Sequence, residues 1–540
     1  MLQILVQSWR HIGVSASGVH GRHWHRSLAF SALLLAALAI RAAVAVTQRN
    51  IIWPDEVYQT VEPAHHLVFG PWLRSWEWVV GMRSWLPPAL LAPALAAGRL
   101  IDPVGHLDTQ AITAFMLLLS LTPVAVAFLW GERLAGLRGG LFVGGIAAVW
   151  VDLVQMAPHP LIDVLAGHTL IVALYLAFPL SERPSARRLA AATAVLVLTV
   201  YLRQQLAPAA VAVLLMAGGT SRSAWRGMVP AAGLALAALA ALDWITLGTP
   251  LQSLWLNAWF NIVKGVSNEY GAYPPLYFVT LVDNHWGLFV PAAAALLLVN
   301  ADRYRPLGIT AGVIFLTMSL IAHKEWRFIF PCLTILTILM ALKLLGASLA
   351  AAQHLSRRGV SAGAALATAF LAMSATSFAI AAGGGYAQDW TRNRAMLLAF
   401  DRLRQSPQVC GVGIHYLPGN AEADSWVFGP GSGALPPGIP QYAALAADNW
   451  RSAEAFNAVV IADGVTPPAP FRPVVCFGRG TGNPMIPGAQ TCLWTRPGRC
   501  DRAAAPPPRT DWPAYFLDER GRVRVDRLSP LRSGAGTAPR

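Results

Sequence analysis

Apolar residues run along this chain in long blocks separated by short polar stretches. The first block, residues 28–46, is almost wholly apolar; at about 1.5 Å per helical residue it can cross a hydrocarbon core roughly 30 Å thick. Comparable blocks lie at 111–130, 139–156, 162–180, 189–202, 206–217 and 228–247, then at 286–299, 307–322, 328–345 and 362–382. Sustained apolarity of this kind predicts an all-α polytopic membrane protein of about 11 transmembrane helices. From residue 383 onward Pro, Gly, Asp and Asn become frequent and no block could span a bilayer. Short β-like runs, VCGVGIHYL from Val409 and NAVVIAD from Asn457, predict a small extracytoplasmic α/β domain over 383–502. The Pro- and Arg-rich end, 503–540, reads as disordered.

Charge adds orientation to this picture. Arg10, Arg22 and Arg26 precede the first block and only Arg49 follows it closely, so the positive-inside rule puts the N-terminus, 1–27, in the cytoplasm. Arg133 and Arg138, then Arg183, Arg187 and Arg188, then Arg222 and Arg226, then Arg303 and Arg305, then Arg357 and Arg358 all fall on the same side. The opposite, extracytoplasmic face receives the loop 47–110 and the segments 157–161, 203–205, 248–285 and 323–327. The first block starts late and contains Arg41, which reads as an uncleaved anchor rather than a signal peptide.

Composition agrees: 55% hydrophobic, 13% charged and a mean hydropathy of +0.47, where soluble chains carry about 25% charge. The net charge of +14 is scattered between apolar blocks, which speaks for topology signals and contact with membrane lipids, with no nucleic acid partner. Neither CxxC nor HExxH occurs, adjacent His65 and His66 point different ways on a helix, and GxxxxGK[ST] is lacking, so no metal, cofactor or nucleotide-sugar donor is expected. Four of the five cysteines, Cys410, Cys476, Cys492 and Cys500, lie in the tail, where an oxidising compartment permits disulfides in any of three pairings; Cys332 reads as packing. Frequent Ala, Arg and Pro suggest a GC-rich bacterial genome.

Polar motifs collect on the extracytoplasmic face: WPDEVYQTVEPAHHLVFG at 53–70, SWEWVVGMRS at 75–84, GVSNEYGAYPPLYF at 265–278 and AHKEWRFIFP at 322–331. In their order and spacing they resemble glycosyltransferase family 22, the mannosyltransferases of the dolichol and GPI-anchor pathways. The match runs through Pro54, Asp55, Glu56, Gln59, Glu62, Ala64, His65, Phe69 and Gly70, then Trp76, Glu77, Trp78, Arg83 and Ser84, and later His323, Lys324, Glu325, Arg327 and Pro331. Ser75 stands for the family's Thr, and Tyr273 and Pro275 stand where the family usually has His and Trp. The tail after 383 carries no motif of the family.

The resemblance implies a GT-C fold over 28–382 and inverting transfer of a mannosyl residue from a polyprenyl-phosphate mannose donor to a lipid-linked or glycan acceptor. That reaction needs a carboxylate to take the acceptor's proton and cations to neutralise the departing phosphate. Asp55 is the family's first-loop acid and hence the base, with Glu56 orienting the acceptor; from pattern alone Asp55 equally suits the first turn of a helix after Pro54. The resemblance implies that His323, Lys324 and Arg327 bind the phosphate, with Glu325 to hold one of these cations in place; from pattern alone the cluster reads rather as a juxtamembrane anchor of a helix end. Arg203 could serve the same phosphate, and Arg41, costly if unpaired in a span, calls for an acidic or lipid-phosphate partner. Gln59, His65, Glu77 and Tyr270 complete the substrate region, while Trp76 and Trp78 suit interfacial anchoring. The expected location is a bacterial inner membrane with the site facing the periplasm. A lipid or sugar transporter is the competing class, weakly supported by Asp152, Asp163 and Asp243 near span ends.

Overall fold

The computed structural model describes residues 19–70, 72, 74–102, 107–298, 302–355, 359–415, 431–435, 439–443, 453–462, 466–478 and 490–501. The expected disordered end, 503–540, and Arg10 lie outside them.

Each of the eleven apolar blocks is helical over most of its described residues. Trp24–Thr47, Arg222–Leu247, Trp326–Leu355 and Ala362–Ala381 are each long and apolar enough to cross a membrane, and so is the stretch Asp108–Val149. The last supplies two passes, because Ala135 and Gly136 leave helical geometry and Gly136 takes φ +63°, open to glycine at little cost. The chain reverses there: Gly140 and Gly144 both lie against Phe128. On a straight helix those residues would stand roughly 18 Å and 24 Å away.

The remaining blocks form shorter helices, Ile162–Ala177, Ala186–Leu202, Ala207–Gly218 and Arg305–Leu320. The block expected over 286–299 differs most. It becomes the ten-residue helix Phe289–Leu298, set at 111° to Tyr277–Trp286, and Gly287 takes φ +50° between them. Ten helical residues rise only about 15 Å.

Helix direction places one set of ends together. The starts of Ile162–Ala177 and Trp326–Leu355 meet the ends of Ala186–Leu202 and Arg305–Leu320, and the residues after 47 pack over them. On the other face Arg26 pairs with Glu132, and Arg133 with Glu182 at 2.6 Å. Apolar side chains fill the space between faces, with Trp130, Trp150 and Phe330 almost inaccessible. The chain is an integral membrane protein.

The tail forms a five-stranded sheet in the order β2-β1-β3-β5-β4, from β1 (Val412–His415), β2 (Gln441–Ala443), β3 (Ala458–Ala462), β4 (Arg472–Phe477) and β5 (Thr491–Thr495). β2, β1 and β3 run parallel, and β5 and β4 add antiparallel. Disulfides join Cys410 to Cys500 and Cys476 to Cys492, and buried Cys332 donates to the Ala311 carbonyl at 3.3 Å. The sheet's core is not its own: Val57 and Tyr58 from the first loop pack into it with Phe400, Leu403, Ile414 and Leu493.

The run Gly383–Gly385, which reads in sequence as a hinge, is instead a close-packed junction. A Cβ on Gly384 would stand 2.1 Å from the Asn284 carbonyl oxygen, and one on Gly385 2.6 Å from the His285 ring. Tyr386, just beyond, is fully buried and donates its hydroxyl to Asp152.

Candidate active site

The helix carrying the first motif begins with a wide π turn, Glu56–Val61, that continues into Glu62–Phe69. Pro63 has no N–H for the usual i−4 bond, and its ring crowds the carbonyl four residues back, which the wider turn relieves. Asp55 occupies the N-cap position, yet its side chain makes no capping hydrogen bond. It turns instead to an ion pair with the Arg327 guanidinium. The ordinary helix-cap role is therefore not the one this carboxylate fills.

Arg327 is shared among three carboxylates. Besides Asp55 it meets Glu325 at 2.6 Å and Asp163 at 3.9 Å. Asp163, at the start of Ile162–Ala177, also faces Arg203 at 2.8 Å, just past the end of Ala186–Leu202. Both guanidiniums also lie over the Phe328 ring, at 4.5 Å for Arg203 and 5.1 Å for Arg327. Glu325 in turn faces His323 Nε2 at 2.8 Å. Burial by itself would raise the Glu325 carboxyl, but the charge of Arg327 and the bond with His323 outweigh it and hold the group well below the usual carboxylate range.

A second pair adjoins this cluster. Glu77 binds Arg83 and accepts from Gln59 Nε2 at 3.4 Å. Trp76 Nε1 donates to the Tyr270 hydroxyl at 3.2 Å, and the Tyr270 ring lies 6.2 Å from that of His323. Lys324 is placed differently from the arginines, since its ammonium donates to the carbonyls of Ile321 and Tyr273 rather than meeting a carboxylate. Its charge is the least neutralised of the basic motif.

Side-chain accessibility ranks the acids. Asp55 is the most open at 28%, Glu325 follows at 23%, and Asp163 is closed at 2%. The arrangement can thus present one carboxylate to an incoming hydroxyl while Asp163 acts behind it as a buried counter-charge.

Three expected site residues lie elsewhere. Glu56, one residue from Asp55 and so rotated about 100° around the helix, points inward. Its carboxylate accepts from the backbone N–H groups of Ile52 and Trp53 at 2.9 Å and meets His159 at 2.7 Å. It braces the entry to the helix. Arg41 meets no carboxylate among the described residues; it donates to the Ala148 carbonyl at 2.8 Å and to Ala147 and Ala37 at 3.2 Å. Carbonyls in the last turn of a helix are short of partners and carry partial negative charge, which suits a cation. His65 packs on Phe69 with ring centroids 4.6 Å apart and borders Gly433 of the tail domain.

Residues that the motifs alone did not single out fill the gaps. Asp163 joins the ionic cluster, His159 supports Glu56, and Asp243 accepts from Tyr201 and from Ser253 Oγ at 2.7 Å. The available signal was position: each is a polar residue at the outer end of an apolar block. Among the described residues no group of three or more His, Cys, Asp or Glu is placed to hold a metal ion.

A model of the Alg9-like mannosyltransferase family matches residues 32–396. The GPI mannosyltransferase 3 of Yarrowia lipolytica is 28% identical over 333 residues, covering 58% of this chain and 62% of that protein. The GPI alpha-1,2-mannosyltransferase 3 of Homo sapiens is 24% identical over 321 residues, covering 56% and 55%. The chain thus spans less than two thirds of the length of these relatives. Among solved structures, ArnT from Cupriavidus metallidurans in the apo state superposes with a TM-score of 0.49 at 13% identity, covering 88% of this chain and 99% of that one. An oligosaccharyltransferase from Archaeoglobus fulgidus gives 0.40 at 14% identity, covering 79% and 67%.

Proposed function

The chain belongs to the Alg9-like mannosyltransferase family, and on that premise we propose that it transfers a mannosyl residue, with inversion, from a polyprenyl-phosphate mannose to a lipid-linked glycan. In this reading the membrane is a bacterial inner membrane with the site facing the periplasm; the one-sided distribution of Arg between the apolar blocks supports the orientation. The fold is of GT-C type.

The carrying observation is that Asp55 forgoes the helix cap and stands as the most accessible acid of a largely buried ionic cluster. It takes the proton of the acceptor hydroxyl as that oxygen bonds to the anomeric carbon. The bond from that carbon to the phosphate oxygen breaks, and its electron pair leaves with the lipid phosphate. Protonated Asp55 no longer neutralises Arg327, so a guanidinium charge is freed as the phosphate gains negative charge. Lys324 and His323 supply further donors, and Arg203 with Asp163 fixes Arg327 from behind. Gln59, Glu77 and Tyr270 border the acceptor side.

The test is transfer of radiolabelled mannose from polyprenyl-phosphate mannose to membrane lipids by native protein and by Asp55→Asn at equal abundance. A drop of about 10² to 10⁴ in rate is expected for the variant. Unchanged transfer in Asp55→Asn would sink the base assignment, and no native transfer from this donor would sink the donor assignment.

A further inference from the structure

A cavity of about 460 Å³ lies beside the ionic cluster and is not part of it. One part of its wall is aromatic, from Trp72, Trp78, Trp85 and His66, with Arg74 and Gln252 among the polar members. Trp78 and Trp85 have ring centroids 4.6 Å apart, and His66 stacks on Trp72 at 4.7 Å with a 20° interplanar angle. The far wall includes Thr246 and Leu247, the last turn of the membrane-crossing helix Arg222–Leu247. The cavity therefore sits where a span emerges on the same face as Asp55.

Trp residues at such a depth ordinarily anchor a protein in the headgroup layer. Here they converge instead on a partly open recess that also carries Arg74, Thr246 and Gln252, and Trp78 is spoken for by the fold, being buried and donating to the Tyr58 carbonyl at 3.1 Å. A volume within roughly 300–1,000 Å³, with aromatic rings set beside several directed polar groups, has the proportions of a small-molecule site. Two chemistries use aromatic walls. A quaternary ammonium would be drawn to the ring faces, but Arg74 on the lining opposes a cation. A pyranose ring offers C–H groups to stack on the rings and hydroxyls for the guanidinium and amide.

We propose that this cavity is a subsite for a hexopyranose unit of the acceptor glycan, with Trp85 as its stacking platform and Arg74 as its polar clamp. Assignment to the acceptor rests on the transfer reading above. Geometry links the two: Trp78 follows Glu77, which is tied to Arg83 and Gln59, and Trp78 hangs from Tyr58, three residues after Asp55. A sugar in the cavity is thus held by the same piece of chain that carries the base.

The experiment is saturation-transfer NMR on the full chain in detergent, with methyl α-mannopyranoside and α-mannobiose as probes and choline as the competing ligand. Sugar ring protons should receive saturation from native protein and equally from Asp55→Asn. The signal should fall at least fivefold in Trp85→Ala and in Arg74→Gln and persist in Trp85→Phe, which also guards against a folding defect. Absence of sugar contact in native protein, contact insensitive to both substitutions, or contact with choline alone would overturn the proposal. Mannose transfer measured on the same samples separates the two readings. Sugar contact that depends on Trp85 without any transfer upholds the subsite and sinks the reaction. Transfer without such contact does the reverse.

Discussion

Two buried polar clusters share the outer face of the membrane domain, and they are built on opposite plans. Around Asp152 one carboxylate is satisfied by neutral donors: the Tyr386 hydroxyl, Trp150 Nε1 at 2.8 Å and Trp286 Nε1 at 3.1 Å. Around Arg327 three carboxylates draw on one guanidinium, and Arg203 shares one of them. A buried carboxylate with both oxygens held by fixed donors is a strut, since removing a donor leaves a buried group short of a partner. An over-subscribed cation can re-pair at modest cost when a phosphate arrives or a proton moves. The difference separates a cluster that holds the tail to the membrane domain from one fitted for chemistry.

The sharpest way to break this comparison is to neutralise one acid in each. Asp55→Asn should lower transfer by about 10² to 10⁴ with thermal unfolding unchanged, whereas Asp152→Asn should shift unfolding and leave the rate per folded molecule intact. Equal rate losses for two stably folded variants would erase the distinction. Next in size is Arg203→Gln, which strips the nearer counter-charge from buried Asp163 and leaves it only the more distant Arg327; it should destabilise by up to about 3 kcal/mol. Adding Asp163→Asn should recover most of that stability while transfer stays low; recovery of both would make the pair purely structural.

Tyr386→Phe removes one donor from Asp152 and should cost about 1–3 kcal/mol by chemical unfolding, with KM for donor and acceptor unaltered. The smallest effect expected is a pH slope. Burial pushes Glu325 up, but Arg327 and His323 bring its folded value below the unfolded one. It therefore stabilises the fold above the ordinary carboxylate value of about 4.3, and that stability is lost as pH falls from there through the folded value. Melting curves from pH 6 downward should be flatter at the acid end for Glu325→Gln than for native protein; parallel curves would mean that Glu325 carries no such linkage.

Much of this was legible in the sequence. Eleven apolar blocks became helical segments, and the alternation of Arg between loops agrees with a shared outer face for residues 55, 203 and 323–327. The hairpin within Asp108–Val149 was visible as two blocks split by Arg133 and Arg138. Other features were not legible. Glu56 and Asp55 are neighbours in one motif, and only the helical turn between them sends one inward to His159 and the other to Arg327. The partner of Arg41 is a set of main-chain carbonyls, which have no signature in sequence. The disulfide pairing awaited the sheet order that brings Cys476 opposite Cys492.

The sequence by itself determined where the chain could enter and leave a membrane, because the cost of burying charge and exposing apolar surface acts on each segment locally. It also determined which residue types were available on each face. The tertiary structure alone decided which of those residues meet, since contacts such as Asp55 with Arg327 and Tyr386 with Asp152 span hundreds of positions along the chain. Their formation depends on how whole helices pack, and no local pattern records that.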